Sequence, residues 1–210
     1  NMNAQSAGTR GVSATIHRVY EYCPAPGQFL NTMPEYEEGD TRESVRQKAE
    51  ELLREGGTVS LGAFGGYVVF GFDHMVENCA GLYDLQILGN SYHADGGDVR
   101  QGGSSEPALV FVSHDDNGNG VPDDKWYELA GSEYGKTGTW RDYTVTYHRT
   151  PQGHTPTPVP NSPVTDDTYI RWTDSEGGEG YLAMNAYHRQ NYWPQWLKGE
   201  QTLTFTGVRL

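Results

Sequence analysis

Ile16-His17-Arg18-Val19-Tyr20-Glu21-Tyr22 is an alternating run that stops at a proline- and glycine-rich stretch, Cys23-Pro24-Ala25-Pro26-Gly27. Alternation over so few residues, closed by turn formers, reads as a β-strand with one face in a core. Working outward, the same reading applies to residues 58–61, Gly66-Tyr67-Val68-Val69-Phe70-Gly71-Phe72, Leu85-Gln86-Ile87-Leu88, Ala108-Leu109-Val110-Phe111-Val112-Ser113, Tyr143-Thr144-Val145-Thr146-Tyr147, Tyr169-Ile170-Arg171-Trp172 and Leu203-Thr204-Phe205-Thr206. Many short strands separated by Gly, Asn, Asp and Pro turns predict a mainly β protein, an antiparallel β-sandwich or jelly roll. One helix is predicted near residues 41–55. Asp40-Thr41-Arg42-Glu43 offers a cap with an acid three residues on, Val45, Ala49, Leu52 and Leu53 recur at helical spacing, and Gly56-Gly57 stops the helix. It is expected to serve as a scaffold over a sheet.

The chain has 210 residues, enough for one domain with its own core. Residues 1–10, small and polar, are expected to be a linker, and 11–210 a single β-sandwich ligand-binding domain. Residues 150–167 carry five prolines and read as a loop or an edge cover rather than a strand. A formal charge of −13, with only 20% charged residues and 12% aromatics, argues against nucleic acid or an anionic membrane as partner. No apolar run approaches the roughly 20 residues needed to span a bilayer. Cys23 and Cys79 are the two cysteines; they pair if the protein is exported or remain thiols if it is not.

The most specific local pattern is Asp115-Asp116-Asn117-Gly118-Asn119-Gly120-Val121-Pro122-Asp123-Asp124. Counted from Asp115, side-chain oxygens fall at positions 1, 3, 5 and 9, with Gly120 at position 6 and the Val121 carbonyl at position 7. That is the spacing of a calcium loop. Trp126 stands at position 12, where a bidentate glutamate is usual, so Asp124 or Glu128 is expected to complete the set. Calcium bound by Asp115, Asn117, Asn119, Val121, Asp123, Asp124 and Glu128 would be structural. The same residues also suit a polar Asn-Gly turn between strands.

Two stretches are candidates for ligand contact. Asn185-Ala186-Tyr187-His188-Arg189-Gln190-Asn191-Tyr192-Trp193-Pro194-Gln195-Trp196 sets large aromatics among amides, a histidine and an arginine. Such a surface suits a large, flat, partly polar ligand. It equally suits an aromatic plug in the core, Trp193 and Trp196 more so than Tyr187, His188 and Tyr192. The candidate ligand residues are Tyr187, His188, Arg189, Gln190, Asn191, Tyr192 and Trp193. Tyr92 and His93 join them from the glycine-rich loop 89–98, since such loops at sandwich ends carry binding residues. Asp73, His74, Asp84, Glu106 and Glu128 permit an acid–base pair, but no nucleophile elbow, phosphate loop or zinc helix occurs. The chain is therefore expected not to be an enzyme.

Taken together, Val19-Tyr20-Glu21-Tyr22-Cys23-Pro24-Ala25-Pro26-Gly27-Gln28-Phe29, residues 60–74, Ser105-Glu106-Pro107, residues 117–134 and Arg171-Trp172-Thr173-Asp174 resemble the PKD-like cell-surface lipoproteins of gut bacteria associated with vitamin B12 uptake. Some members are surface cobalamin-binding proteins, and the likeness spans residues 16–210. The resemblance implies a β-sandwich tethered through an upstream lipidated region at the extracellular face of the outer membrane. It implies capture of cobalamin and its delivery to a TonB-dependent outer-membrane transporter; the residues themselves, not the resemblance, offer His93 or His188 as an added cobalt ligand. Members of that group continue with further strands beyond the position of Leu210. Strands completing the C-terminal side of the sheet would then be missing, cleaved, or supplied by an additional chain. A calcium-stabilised carbohydrate-binding module is the alternative, and an adhesion or assembly domain with an exposed apolar edge a third.

Overall fold

The computed structural model describes residues 3–6, 13–93, 102–104 and 106–210. In chain order its strands are β1 (Asn3–Ser6), β2 (Arg18–Cys23), β3 (Tyr67–Gly71), β4 (Leu85–Leu88), β5 (Tyr92–His93), β6 (Gly103–Ser104), β7 (Phe111–Ser113), β8 (Trp126–Glu128), β9 (Trp140–His148), β10 (Val164–Asp174), β11 (Glu179–Asn185) and β12 (Thr202–Arg209). Helix α1 (Arg42–Arg54) lies between β2 and β3, and a 3₁₀ turn, Gln195–Leu197, precedes β12. Among the described residues the fold is mainly β, with antiparallel pairing throughout and one α-helix.

The main sheet has four strands in the order β11-β10-β9-β12. Along β9 the alternation works as a half-buried strand requires: Tyr143, Val145 and Tyr147 are buried. Between them Thr144 and Thr146 pair through their hydroxyls with Thr206 and Thr204 on β12, at 2.9 and 3.0 Å. On the buried face Ile170 and Phe205 join Ala25, Tyr192 and Trp193. The opposing layer is made of loops, with Ala63 and Phe64 packed on that cluster and the Tyr147 hydroxyl donating to the Phe64 carbonyl at 3.0 Å. Glycine is required there. At Gly62 (φ +71°) and Gly65 (φ +88°) an added Cβ would lie 1.8 Å from the Ala25 carbonyl oxygen and 2.4 Å from the Phe205 Cβ.

A second cluster joins Ile16, Val19, Tyr22, Val45, Ala49, Leu53 and Val59, so the ribbon β2–β3 packs on α1. The alternation of the opening run is broken once. Val19 faces Phe70 and Glu21 faces Val69, which leaves Tyr20 as a bulge residue and puts Val19 and Tyr22 on the same core. The helix closes the free edge of β2: Glu50 accepts from the Val19 N–H at 2.9 Å, and the Arg46 guanidinium donates to the Val19 carbonyl. The N-cap is Thr41, not Asp40; Thr41 and Ser44 exchange bonds of 3.2 and 2.9 Å. Asp40 instead binds Lys48 at 2.8 Å, which with the Glu37 N–H and Ser44 outweighs burial and holds its carboxyl down to about 2. At the far end Gly57 donates to the Leu52 carbonyl and Gly56 to that of Leu53, the paired bonds of a Schellman stop.

Several sequence expectations change. Residues 58–61 are not a strand, because the Ser60 N–H is taken by the Met33 carbonyl and the Leu61 carbonyl by Ala25. Strand β10 begins at Val164, inside the proline-rich stretch read as a loop, and β11 was not expected. Of the expected linker 1–10, Asn3–Ser6 pairs with β4, its extended backbone completing that strand's edge. The rest of 1–10, and residues 94–98 of the glycine-rich loop, lie outside the described residues. Cys23, half-buried, and Cys79, exposed, are unpaired thiols. Burial, with Glu21 adding to it, pushes the Cys23 thiol up. Among the described residues no helix is long and apolar enough to cross a membrane.

Candidate functional site

Beside the main sheet a cleft of about 570 Å³ opens between residues 150–156, β10 and the end of β11. The proline-rich segment is held against the start of β10 by backbone bonds, Val159 to Val164 at 3.1 Å and Asp167 to Thr157 at 3.0 Å. The register of β10 against β11 slips on both sides of Asp166. Those bulges turn Asp166 inward, where it is 3% exposed.

A carboxylate this buried needs partners, and Asp166 has a full set. Its Oδ2 accepts from His154 Nε2 at 2.7 Å. Its Oδ1 accepts from the N–H and hydroxyl of Thr168, each at 3.1 Å, and from those of Thr157 at 3.3 and 3.2 Å. Burial pushes the carboxyl pKa up, but the His154 imidazole and the Thr168 and Thr157 N–H groups together hold it below the usual range. With Asp166 ionised, this network assigns the proton of the neutral imidazole to Nε2. Nδ1 then carries a lone pair and acts only as an acceptor. No partner takes it among the described residues. Arg189, exposed, lines the same cleft; its Nε donates to the Ala186 carbonyl at 3.2 Å and leaves the rest of the fork to solvent. Tyr169, Met184, Pro151 and Pro156 supply the apolar walls.

The expected aromatic platform divides in two. Tyr187 is 79% exposed and Arg189 lines the cleft, as a ligand surface requires. Tyr192 and Trp193, at 1% and 3% exposure, belong to the core and cannot stack on a ligand. Tyr192 meets Tyr169 edge-on at 5.4 Å and donates to the His188 carbonyl at 2.9 Å, while Trp193 Nε1 donates to the Leu197 carbonyl at 3.3 Å. Asn191 is structural as well: its Oδ1 accepts from the Trp193 N–H at 2.8 Å and from the Tyr169 hydroxyl at 3.2 Å. His188 is half-buried, its ring 4.4 Å from that of Phe29 in an edge contact, with Phe29 held at φ +61°, a costly conformation for an aromatic residue. That contact fixes one side of the His188 ring against Phe29. Gln190 is half-buried, with an amide nitrogen that has no partner. His93 is exposed on β5 and shares no hydrogen bond or ring contact with this segment; the Tyr92 side chain lies outside the described residues.

The acidic loop is the tip of a hairpin between β7 and β8. Asp115 accepts from the N–H groups of Asn119 and Gly120 at 3.1 and 2.9 Å, Asn117 from Asn119 at 2.9 Å, and Asn119 from Val121 at 2.8 Å. Gly118 and Gly120 adopt φ of +71° and +72°. These turns roll the side chains of positions 1, 3, 5 and 9 together, and the amides of Asn117 and Asn119 meet Asp123 at 3.0–3.3 Å. Their nitrogens face the carboxylate, so calcium at the centre requires both amides to turn over and present oxygen. The donor set is two carboxylates and two amides, which fits a hard cation. Among the described residues no group of three His, Cys, Asp or Glu is placed to hold a metal. Asp124 binds the Asp116 N–H at 3.2 Å, closing the neck of the loop. Glu128 does not complete the set: it lies on β8 and pairs with Arg141 at 2.5 Å.

Sequence reasoning missed the pair His154–Asp166. A histidine among prolines and an aspartate at a strand start gave no joint signal, because only the bulge in β10 brings the two side chains together. No family model matches this chain, and no curated protein matches it.

Proposed function

We propose that this domain is a non-enzymatic binder of cobalamin on the extracellular face of the outer membrane, passing its ligand to a TonB-dependent transporter. The observation that carries the reading is the cleft at His154, Tyr169 and Arg189, which sets hydrogen-bonding groups among apolar walls. A corrinoid is large, partly apolar and fringed with amides, and the cleft offers one edge of it both kinds of contact. The resemblance of residues 16–210 to surface lipoproteins of vitamin B12 uptake points to the same ligand. Calcium, held by Asp115, Asn117, Asn119, Asp123 and the Val121 carbonyl, serves the fold and not the ligand. Isothermal titration with cyanocobalamin tests the reading; no heat at micromolar concentrations would sink it.

One observation favours a carbohydrate module instead. Trp126 and Tyr127, beside the calcium loop, are 40% and 53% exposed, and flat aromatics of this kind stack on pyranose faces. Glycan-array binding that is lost in Trp126→Ala, with no response to cyanocobalamin, would decide for it.

A further inference from the structure

We propose that His154 and Arg189 form a clamp for a primary carboxamide, so that the cleft reads one peripheral amide of the corrinoid; the inference rests on the cobalamin reading above. The argument begins at Asp166. Its carboxylate has no proton to give and takes the Nε2–H of His154 at 2.7 Å. That bond leaves His154 Nδ1 as a pure acceptor. The four Thr157 and Thr168 bonds to Asp166 fix the carboxylate, and the turn bond from the His154 N–H to the Pro151 carbonyl, at 3.1 Å, fixes the backbone that carries the ring. The guanidinium of Arg189 is a pure donor on the same cleft.

The open Nδ1 acceptor of His154 and the part of the Arg189 fork not bound to the Ala186 carbonyl define their ligand. A primary carboxamide presents N–H to His154 and its carbonyl to Arg189, and satisfies both. A carboxylate of the same shape keeps the Arg189 contact but sets lone pair against lone pair at Nδ1 of the neutral imidazole and loses that bond. Hydrogen-bonding sites discriminate sharply between groups of equal size for this reason. Asp166 therefore acts as a positioning residue, choosing amide over acid by choosing the tautomer. In Asp166→Asn the side-chain amide can donate to Nε2, which moves the imidazole proton to Nδ1 and turns the acceptor into a donor.

The test titrates the full chain with cyanocobalamin and with the cobalamins in which one peripheral amide is hydrolysed to the acid. The expected result is that one monoacid binds the wild type about tenfold or more weakly than cyanocobalamin, the others equally well. In Asp166→Asn that gap closes or reverses, and His154→Ala and Arg189→Ala weaken cyanocobalamin with melting temperatures within a few degrees of the wild type. If Asp166→Asn fails to fold, the monoacid series on wild type and the Arg189→Ala titration decide alone. Cyanocobalamin binding with every monoacid equivalent, and with Arg189→Ala unchanged, overturns the clamp and leaves the cobalamin reading standing. No binding of cyanocobalamin by the wild type overturns both.

Discussion

Residues 143–210 and residues 61–142 are both written in short strands and glycine-rich turns, yet they make unlike structures. The C-terminal part buries Tyr143, Val145, Tyr147, Ile170, Tyr192, Trp193 and Phe205 around one sheet. In the middle part not one described residue is buried, and Leu82, Tyr83, Phe111, Trp126, Tyr127 and Tyr134 stand exposed. The difference is strand partnership. β9 has a neighbour on each side, so its alternate residues share one covered face. β7 and β8 have only each other, and a two-stranded ribbon has no covered face of its own. Beyond residues 61–72 and β4, which pack on the two core clusters, local hydrogen bonds shape the middle part; burial holds the rest.

Ile170→Ala strikes hardest at the buried side of that contrast. The side chain is fully enclosed, and truncation there is expected to cost about 2–5 kcal/mol in urea unfolding. A cost below about 1 kcal/mol would mean the sheet's core is looser than its burial implies.

Asp166→Asn is expected to come next, about 1–3 kcal/mol, because the imidazole and threonine donors lose a buried carboxylate. Acid should find the same weakness by another route. The folded state holds the Asp166 carboxyl below its ordinary pKa, so its contribution is complete above the usual carboxylate range near 4 and is lost as pH falls through the lower folded value. Asp40 follows the same sign with a defined window. Lys48 foremost holds it to about 2, so the melting-temperature gap between wild type and Asp40→Asn should be constant above about pH 5 and close between about pH 4 and 2. A gap that instead widens on acidification would refute the ion pair.

The two parts also differ in how far their sequences could be read. β9, β10 and β12 extend the runs expected at 143–147, 169–172 and 203–206, because periodicity there reports a buried face directly; in the middle part β4 is found as expected, while β7 keeps only the end of the run expected at 108–113. β11 was missed since Glu179, Gly180 and Ala183 are weak strand formers. Its signal lay in the turn before it, where Asp174 accepts from the N–H groups of Glu176 and Gly178 at 2.9 and 2.7 Å. At the candidate site Arg189 and Tyr187 were legible as an exposed polar–aromatic segment. Trp193 was already read as better suited to the core, but Tyr192 was not separable from Tyr187, because burial here depends on the Gly27, Asn31 and Tyr169 contacts from distant parts of the chain. The acidic loop 115–124 was legible for the opposite reason, being made of contacts within ten residues.

That locality gives a smaller prediction for the middle part. Gly120 sits at φ +72°, so Gly120→Ala should cost about 1–2 kcal/mol. The loss should fall on the β7–β8 hairpin, read as faster proteolysis between residues 106 and 142, and leave the global unfolding midpoint almost unmoved. Added calcium should slow that cleavage in the wild type, and a chelator should lower the melting temperature before any ligand binding is lost. Cleavage indifferent to both calcium and chelator would reduce the loop to a turn.

The smallest effect is the most discriminating. Trp126→Ala and Tyr127→Ala remove large side chains, yet at 40% and 53% exposure they should change stability by no more than about 0.5 kcal/mol. Lys125 over the Tyr127 ring, 4.7 Å from its centre, adds little at such an exposed site. A loss as large as that of Ile170→Ala would mean these rings pack against something, and the contrast between the two parts would fail. A null effect on stability leaves exposed aromatic area that folding does not use, beside a loop that gathers carboxylates. Aromatics spared by folding are free for binding, so any ligand or glycan affinity that these two substitutions remove can be assigned to the surface itself rather than to a damaged fold.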